Sequence, residues 1–466
     1  MTPFRLRDVL DSTGAVLVRG AAGGEVSGIS TDTRSLVPGE LFLALSGPNF
    51  DGNRFADAAV AGGAAALILR DAEDARARAF PGTVPVAVHA DPRRALADLA
   101  AWHRSLLAAP VVGITGSCGK TTTKNLIRDL LSPLFPVVAS PSSFNNDIGV
   151  PHTLLLGDRD TRLFAIEMGT NHPGEIAALC RIARPTAGVI TNVGAAHLEG
   201  LGSMQGVADE KGDLAASLPR DGFLVLNADC RFMPAIRART AARVITFSVE
   251  AAPGEEGDLN ARQVLFHSGG TTFRLNGGEI TSPLLGTHNV QNLLAALGVC
   301  RGLGVPMEDV LPHIPFLKGG GRRMERIELS GLTVFDDSYN SNPDSLRAAV
   351  RVLAGLHGHS RRVLVLGDML ELGELAAELH HAVGREAAEA GIDQLVLVGE
   401  LAKAAAAGAL EGGLPAAAVI HLPTTEDAIA IVEDLVRDGD VVLVKGSRRM
   451  RLERLVEHLR VSHGRR

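Results

Sequence analysis

A chain of 466 residues, 46% hydrophobic but only 4% aromatic, is too long for one ordinary domain and must build its cores from Ala, Leu and Val. A net charge of −7 without a long basic run argues against a nucleic-acid binder, and the four scattered cysteines (Cys118, Cys180, Cys230, Cys300) form no metal-type pair and fit reduced thiols. No apolar run approaches the roughly 18 residues of a membrane helix, and the opening MTPFRLRDVLDSTG lacks the apolar core of a signal peptide, so the expectation is a cytoplasmic protein without membrane insertion.

In chain order, a first domain is expected over residues 1–86. GELFLAL and AALIL read as short buried strands, with a helix over Phe55 to Ala61 between them. Asp91 caps the helix DPRRALADLAAWHRSLL, which leads into a second domain over 87–315. There VVGIT, RLFAIEMG, AGVITNVG, GFLVLNAD and RVITFSV read as strands separated by helical stretches, and GTHNVQNLLAALGVCRGLG closes the segment as a helix. That alternation predicts a parallel sheet with helices on both faces, with working residues at the carboxyl ends of the strands. The run KGGG marks a linker, and Gly319 to Gly321 is the expected hinge. A third domain over 316–466 contains ERIEL, LTVFDDSYN, RRVLVLGDM, DQLVLVGE and DVVLVKGS, again apolar strands ending in glycine and polar residues. The fold expected is α/β in three domains: a smaller N-terminal α/β domain, a central P-loop sheet and a C-terminal Rossmann-like sheet.

The central segment contains VVGITGSCGKTTTK, from Val111 to Lys124. A strand ends in a glycine-rich turn, then come a lysine and three threonines, and a helix is expected from Asn125 to Leu131. Gly116 and Gly119 allow backbone N–H groups to turn inward around an oxyanion, and the helix points its positive end at the same place. Lys120 reaches the outer phosphates and the Thr121 hydroxyl suits magnesium. Thr115, Gly116, Ser117, Cys118, Gly119, Lys120, Thr121 and Thr122 are therefore candidate ATP contacts, with Cys118 as a small filler. The loop is shorter than G-x-x-x-x-G-K-[ST], and a purely structural turn is the bland alternative. Glu167, after the apolar LFAI run and before a glycine, is a candidate metal ligand rather than a surface carboxylate.

Three further stretches, DDSYNSNPDS (Asp336 to Ser345), LGDMLELG (Leu366 to Gly373) and VKGSRRM (Val444 to Met450), complete a pattern that resembles the Mur ligases over essentially the whole chain. Within that family the motifs are most similar to those of members that join D-alanyl-D-alanine to a UDP-linked muramoyl tripeptide in peptidoglycan precursor synthesis. The chain departs at Ser341, where the family has alanine. It also has Arg322, Arg323, Met324 and Glu325 where a Gly-Arg-x-Glu element is usual, so the motif arginine is Arg322 or Arg323, with Arg323 favoured.

The resemblance implies an ATP- and Mg2+-dependent amide-forming ligase that works through an acyl phosphate, as a monomer. It implies that Lys120, Lys211 and His197 are catalytic, and that Thr121, Glu167, His197 and a carbamylated Lys211 hold metal. Asn289 and Asn292 (within HNVQN), Arg323, Asp337 and Asn340 would contact ATP. Asn145 and Asn146 (within FNNDIGVP) would meet phosphate or substrate. Ser30, Thr31 and Arg34 (STDTR), with GPNFDG, would hold the uridine nucleotide. Lys445, Ser447 and Arg448 would meet substrate carboxylates or the dipeptide. Each has a plainer reading: turns for the Asn, Ser and Thr residues, helix capping for Asn289 and Asn292, loop hydrogen bonding for His197, solvated cations for Lys211 and the 445–448 cluster. The alternatives are a related Mur-type ligase adding a single amino acid, folylpolyglutamate synthase, and a nucleotide-switched binding protein. The first usually has Tyr-Ala-His where Tyr339, Asn340 and Ser341 stand, and the second needs no uridine-binding domain.

Overall fold

The structure, a computed structural model, describes residues 3–464 except 48–49, 71–72, 74, 76–79, 82, 253, 255–256 and 268. Pro48 and Asn49 of the GPNFDG stretch thus lie outside the described residues. Among the described residues three large sheets follow one another along the chain, each mainly parallel, beside two small two-stranded antiparallel ones.

The N-terminal sheet has five strands, with Leu41–Leu43 and Ala66–Leu69 at its centre and Val16–Arg19 antiparallel at one edge. Val86–Val88 pairs between two of these strands, so this layer continues past residue 86. Asp91 accepts hydrogen bonds from the Arg93 and Arg94 N–H groups and starts the helix Pro92–Ser105. Leu96 and Leu99 of that helix are fully buried in a core shared with Phe4 on one side and Phe164 on the other, which ties the first sheet to the second.

The central sheet has nine strands. Val111–Thr115 lies between Leu163–Glu167 and Ala187–Ile190, all parallel, so Thr115, Glu167 and Thr191 end on one edge. The helix after Val111–Thr115 begins at Lys120, not at Asn125. The three threonines form its first turn with Thr123 wholly buried; tertiary packing overrides their modest helix propensity. Alongside runs Thr287–Gly302, whose Leu293 to Leu297 are completely buried. Leu259–His267, Gly270–Leu275 and Gly278–Ser282 extend the sheet as an antiparallel meander that the sequence reading left unassigned. Its second turn is Asn276–Gly277, both at positive φ.

The C-terminal sheet has six strands, five of them expected; Val419–Leu422 is an additional edge strand. Leu332–Asp337 pairs with Asp440–Lys445 in a register that sets Asp337 opposite Lys445. Residues 317–321, which include the glycine run, carry no regular structure and connect the second sheet to the third.

Candidate active site

The loop after Val111–Thr115 is shaped by two glycines. Gly116 has φ +149° and Gly119 +83°, and a Cβ at either would collide with Thr191 Oγ1 or Asn292 Oδ1 respectively. The next strand end braces the loop. Cys118 N–H donates to Asn192 Oδ1 at 2.9 Å, and the Ser117 hydroxyl accepts from Gly194 N–H at 2.8 Å and donates to Gly194 O at 2.9 Å. Asn192, which the sequence places at a strand end in the TNVG stretch without giving it a role, orders the loop.

Lys120 Nζ donates to Gly116 O at 2.6 Å. Burial pushes this ammonium down, and the nearby Glu167 carboxylate partly opposes the shift. Thr121 Oγ1 donates to Glu167 Oε2 at 2.7 Å, while Asn145 Nδ2 donates to Glu167 Oε1 at 2.9 Å. Glu167 is thus a buried carboxylate oriented by both hydroxyl and amide. Lys124, which the sequence reading did not single out, is buried and holds Ser140 O at 2.6 Å and Ser142 O at 2.7 Å. It pins the segment that presents Ser143 and Asn145.

The C-terminal unit closes over this loop. Arg323 Nη2 donates to Thr121 Oγ1 at 2.9 Å and Ser143 Oγ at 3.3 Å, and its guanidinium lies 4.0 Å over the Tyr339 ring. Arg322 turns away toward Glu453 (3.4 Å) and has φ +57°. Met324 shares that left-handed backbone (φ +56°), so what separates the two arginines is side-chain direction: Arg323 enters the cavity and Arg322 does not. Asn342 caps the helix Pro343–Gly355 and meets Cys118 Sγ at 3.2 Å. Asp344 Oδ2 accepts from Ala195 N–H at 3.1 Å, and His197 Nδ1 lies 2.8 Å from Glu371 Oε2, which holds the Glu371 carboxyl below its ordinary value. Lys445 Nζ is buried, donating to Asp337 Oδ2 at 2.6 Å and Asn340 O at 3.1 Å.

These surfaces enclose a cavity of about 1050 Å³. Of the expected site residues, Ser117 to Thr122, Asn145, Asn146, Glu167, His197, Asn289, Asn292, Arg323, Asp337, Asn340, Lys445 and Arg448 line it. Thr115 and Gly116 lie beneath the loop. Ser447 is buried, its Oγ accepting from Leu370 N–H at 2.9 Å. Ser30, Thr31 and Arg34 are not among the lining residues. Thr31 Oγ1 lies 3.0 Å from His152 Nε2, and Arg34 pairs with Asp32 at 2.6 Å. The turn reading of Asn146 coexists with its lining position, since its Oδ1 accepts from Gly149 N–H (2.9 Å), but the capping reading of Asn289 and Asn292 fails: both lie inside the helix Thr287–Gly302, where Asn289 donates to Leu285 O (2.8 Å) and Asn292 links Asn289 to Thr123.

Polar atoms at the site are left without protein partners. Thr115 Oγ1, His288 Nδ1 and Ser341 Oγ are buried without hydrogen-bond partners, and His288 and Ser341 line the cavity. Burial pushes His288 down to about 4. No group of three or more His, Cys, Asp or Glu side chains converges as a metal cage among the described residues. Thr121 and Glu167 instead offer two hard oxygens beside the phosphate loop, which suits a magnesium ion that takes its remaining ligands from phosphate and water.

Lys211, on the helix Met204–Ala216, is 1% exposed and has no hydrogen-bond or ion-pair partner among the described residues. Burial, with Lys120 adding to it, pushes its pKa down to about 7. The adjacent Glu210 faces elsewhere, accepting from Thr170 Oγ1 and the Gly174 and Ile176 N–H groups. Between pH 7 and 10.5 the unfolded chain keeps a proton on this amine that the folded chain sheds, so stability rises with pH across that window. Lys211→Met should remove up to about 1.4 kcal/mol per pH unit of that slope. Denaturation of both proteins from pH 7 to 10, in carbon-dioxide-free buffer, measures the difference.

Three family models match consecutive parts of the chain: "Mur ligase family, catalytic domain" over 25–104, "Mur ligase middle domain" over 114–300, and "Mur ligase, glutamate ligase domain" over 322–448. The chain is 38% identical over 442 residues to the UDP-N-acetylmuramoyl-tripeptide–D-alanyl-D-alanine ligase of Escherichia coli, covering 92% of this chain and 93% of that one. Its structure is similar to MurF from Acinetobacter baumannii (TM-score 0.88, 31% identity, 98% and 99% of the two chains). It is also similar to MurF ligase from Thermotoga maritima in complex with ADP (0.79, 27%, 92% and 96%).

Proposed function

This chain belongs to the Mur ligase family, and we propose that it is the ATP-dependent ligase that joins D-alanyl-D-alanine to UDP-N-acetylmuramoyl-tripeptide in peptidoglycan precursor synthesis. The observation that carries the reading is the convergence of Lys120, Thr121 and Glu167 from the central domain with Arg323 and Asp337 from the C-terminal domain, around one cavity. Amide formation from a carboxylate in water requires its activation, and ATP supplies this by phosphorylating it to an acyl phosphate. The difficulty is to bring two anions together, so positioning and charge neutralisation dominate.

Lys120, freed from Gly116 O, meets the outer phosphates. Arg323 swings its fork from Thr121 and Ser143 to the transferring phosphoryl group. Asp337 takes the ribose, and Asn340 stays near the phosphates with Ser341 and His288 as further polar contacts. Thr121 and Glu167 would hold Mg2+, which would screen the phosphate charge. Lys211 is not among the residues that line the cavity, but with its pKa pushed down to about 7 its amine would take up carbon dioxide, losing a proton to solvent, and as a carbamate would offer oxygens to a second metal with His197. The amine of the dipeptide attacks the acyl phosphate, and phosphate leaves. Asn145, Asn146 and Arg448 flank the acceptor end of the cavity.

The N-terminal domain, extended past residue 86 by the strand Val86–Val88, would hold the uridine nucleotide through the Ser30–Arg34 loop, the central domain would hold ATP, and the C-terminal domain would close over it. No helix among the described residues is long and apolar enough to cross a membrane, and we place the enzyme in the cytoplasm as a monomer. ADP release should require UDP-muramoyl tripeptide and D-alanyl-D-alanine together, with product mass equal to their sum minus water. Equal turnover with a single amino acid would reassign it to another ligase of the family, and ADP release without a new amide would make it a switch.

A further inference from the structure

The contact between His197 and Glu371 has features that an incidental surface pair lacks. Both residues have left-handed backbones, φ +56° and +64°, although neither is glycine. Non-glycine residues persist there only where the surrounding structure over-determines them, and such strain gathers at working sites. Here the surroundings are visible. The turn bearing Glu371 is fastened on several sides: Met369 N–H donates to His380 Nε2 (2.9 Å), Leu370 N–H to Ser447 Oγ (2.9 Å), and Ala402 N–H to Asp368 Oδ1 (2.7 Å). Met369 and Leu372 on either side are buried. Opposite, His197 precedes the helical turn Leu198–Leu201, and Gly373 lies close enough that a Cβ on it would sit 3.9 Å from Glu199 Cα. Two strained residues on two domains are thus aimed at each other, with Nδ1 and Oε2 2.8 Å apart.

An exposed ion pair contributes little to holding two domains together, so the strain is better explained by orientation. A carboxylate on one imidazole nitrogen fixes the tautomer and directs the other nitrogen outward, as it does behind metal-bound histidines. We propose that Glu371 is a positioning residue that fixes the His197 ring so that Nε2 faces the metal, and that this support arrives only when the C-terminal domain closes. The proposal rests on the reading of His197 as a metal ligand. It makes Ser447 part of the same device, as the residue that fastens the Glu371 turn, rather than a direct substrate contact.

The test is Mn2+ titration, followed by calorimetry, of the full-length protein with UDP-muramoyl tripeptide and a non-hydrolysable ATP analogue. Nitrogen NMR of the His197 ring and small-angle scattering are recorded on the same samples. His197→Ala identifies the Mn2+ that depends on this ring. Glu371→Ala should weaken that same Mn2+ by about 10- to 100-fold and let the ring sample both tautomers, at unchanged compaction, while Glu371→Gln, which keeps an acceptor oxygen, restores most of the affinity. Unchanged Mn2+ binding in Glu371→Ala, with binding lost in His197→Ala, overturns the proposal and leaves the reading of His197 intact. Unchanged binding in His197→Ala overturns both. Failure of Glu371→Ala to compact also overturns it, because Glu371 is then a latch.

Discussion

Lys120→Met is expected to lower turnover by about 10³-fold, the upper end of what loss of one preorganised oxyanion donor costs, without lowering the melting temperature. The two halves of that expectation have one cause. The ammonium is held inside the phosphate loop, 2.6 Å from Gly116 O, and burial pushes its pKa down. A charge in that position is a cost to the folded protein, and methionine of similar length removes the cost. The same charge becomes favourable when a polyphosphate enters, because the ligand supplies the counter-charge that the apo loop lacks. Stability and activity should therefore move in different directions, which a merely misfolded variant cannot do. Single-turnover ADP formation and thermal unfolding on one preparation test both halves. Retained turnover would remove residues 116–121 from the phosphate site.

Much of this was legible from local pattern. Apolar runs ending in glycine and polar residues marked the central parallel strands, because a strand buried on both faces leaves few other places for chemistry. The phosphate loop was legible for the same reason, but not its helix start: Thr121 to Thr123 suggest a loop, and only their packing makes them the first turn. The meander over residues 259–282 was missed although Asn276–Gly277 advertises a hairpin turn, since its strands alternate weakly. What sequence could not show was pairing across distance. Lys445 was expected to meet substrate, and only strand register reveals that it is set against Asp337. Nothing local in the sequence shows that Ser447, expected at the substrate, accepts from Leu370 N–H in the Glu371 turn. His288 sat beside the noted Asn289, and only its unpartnered Nδ1 distinguishes it.

Arg323→Ala is expected to slow turnover on the order of 10³-fold, the low end of the range for an arginine that stabilises phosphoryl-transfer charge from across an interface. Arg322→Ala should change it by about fivefold at most, the equivalent of an exposed ion pair's ~1 kcal/mol. The contrast follows from where the two guanidinium groups go. Arg323 spans the gap between domains to Thr121 and Ser143 and is flattened on Tyr339, so its fork waits beside the phosphate loop, a short swing from the proposed phosphoryl position. Arg322 leaves the cavity for Glu453 and has a left-handed backbone. Arg322→Gly sharpens the comparison. It relieves a conformation that disfavours a Cβ by about 1–2 kcal/mol, offset by roughly 0.5–1 kcal/mol of added freedom in the unfolded chain. Stability should then hold or rise by up to about 1 kcal/mol, with activity kept. Because Arg323 binds the loop hydroxyls now and the phosphoryl group later, its loss should fall mainly on kcat rather than on KM for ATP. If Arg322→Ala proved the more damaging of the two, the motif arginine would be misassigned, and the nucleotide-facing wall of the C-terminal domain would have to be redrawn around Glu453.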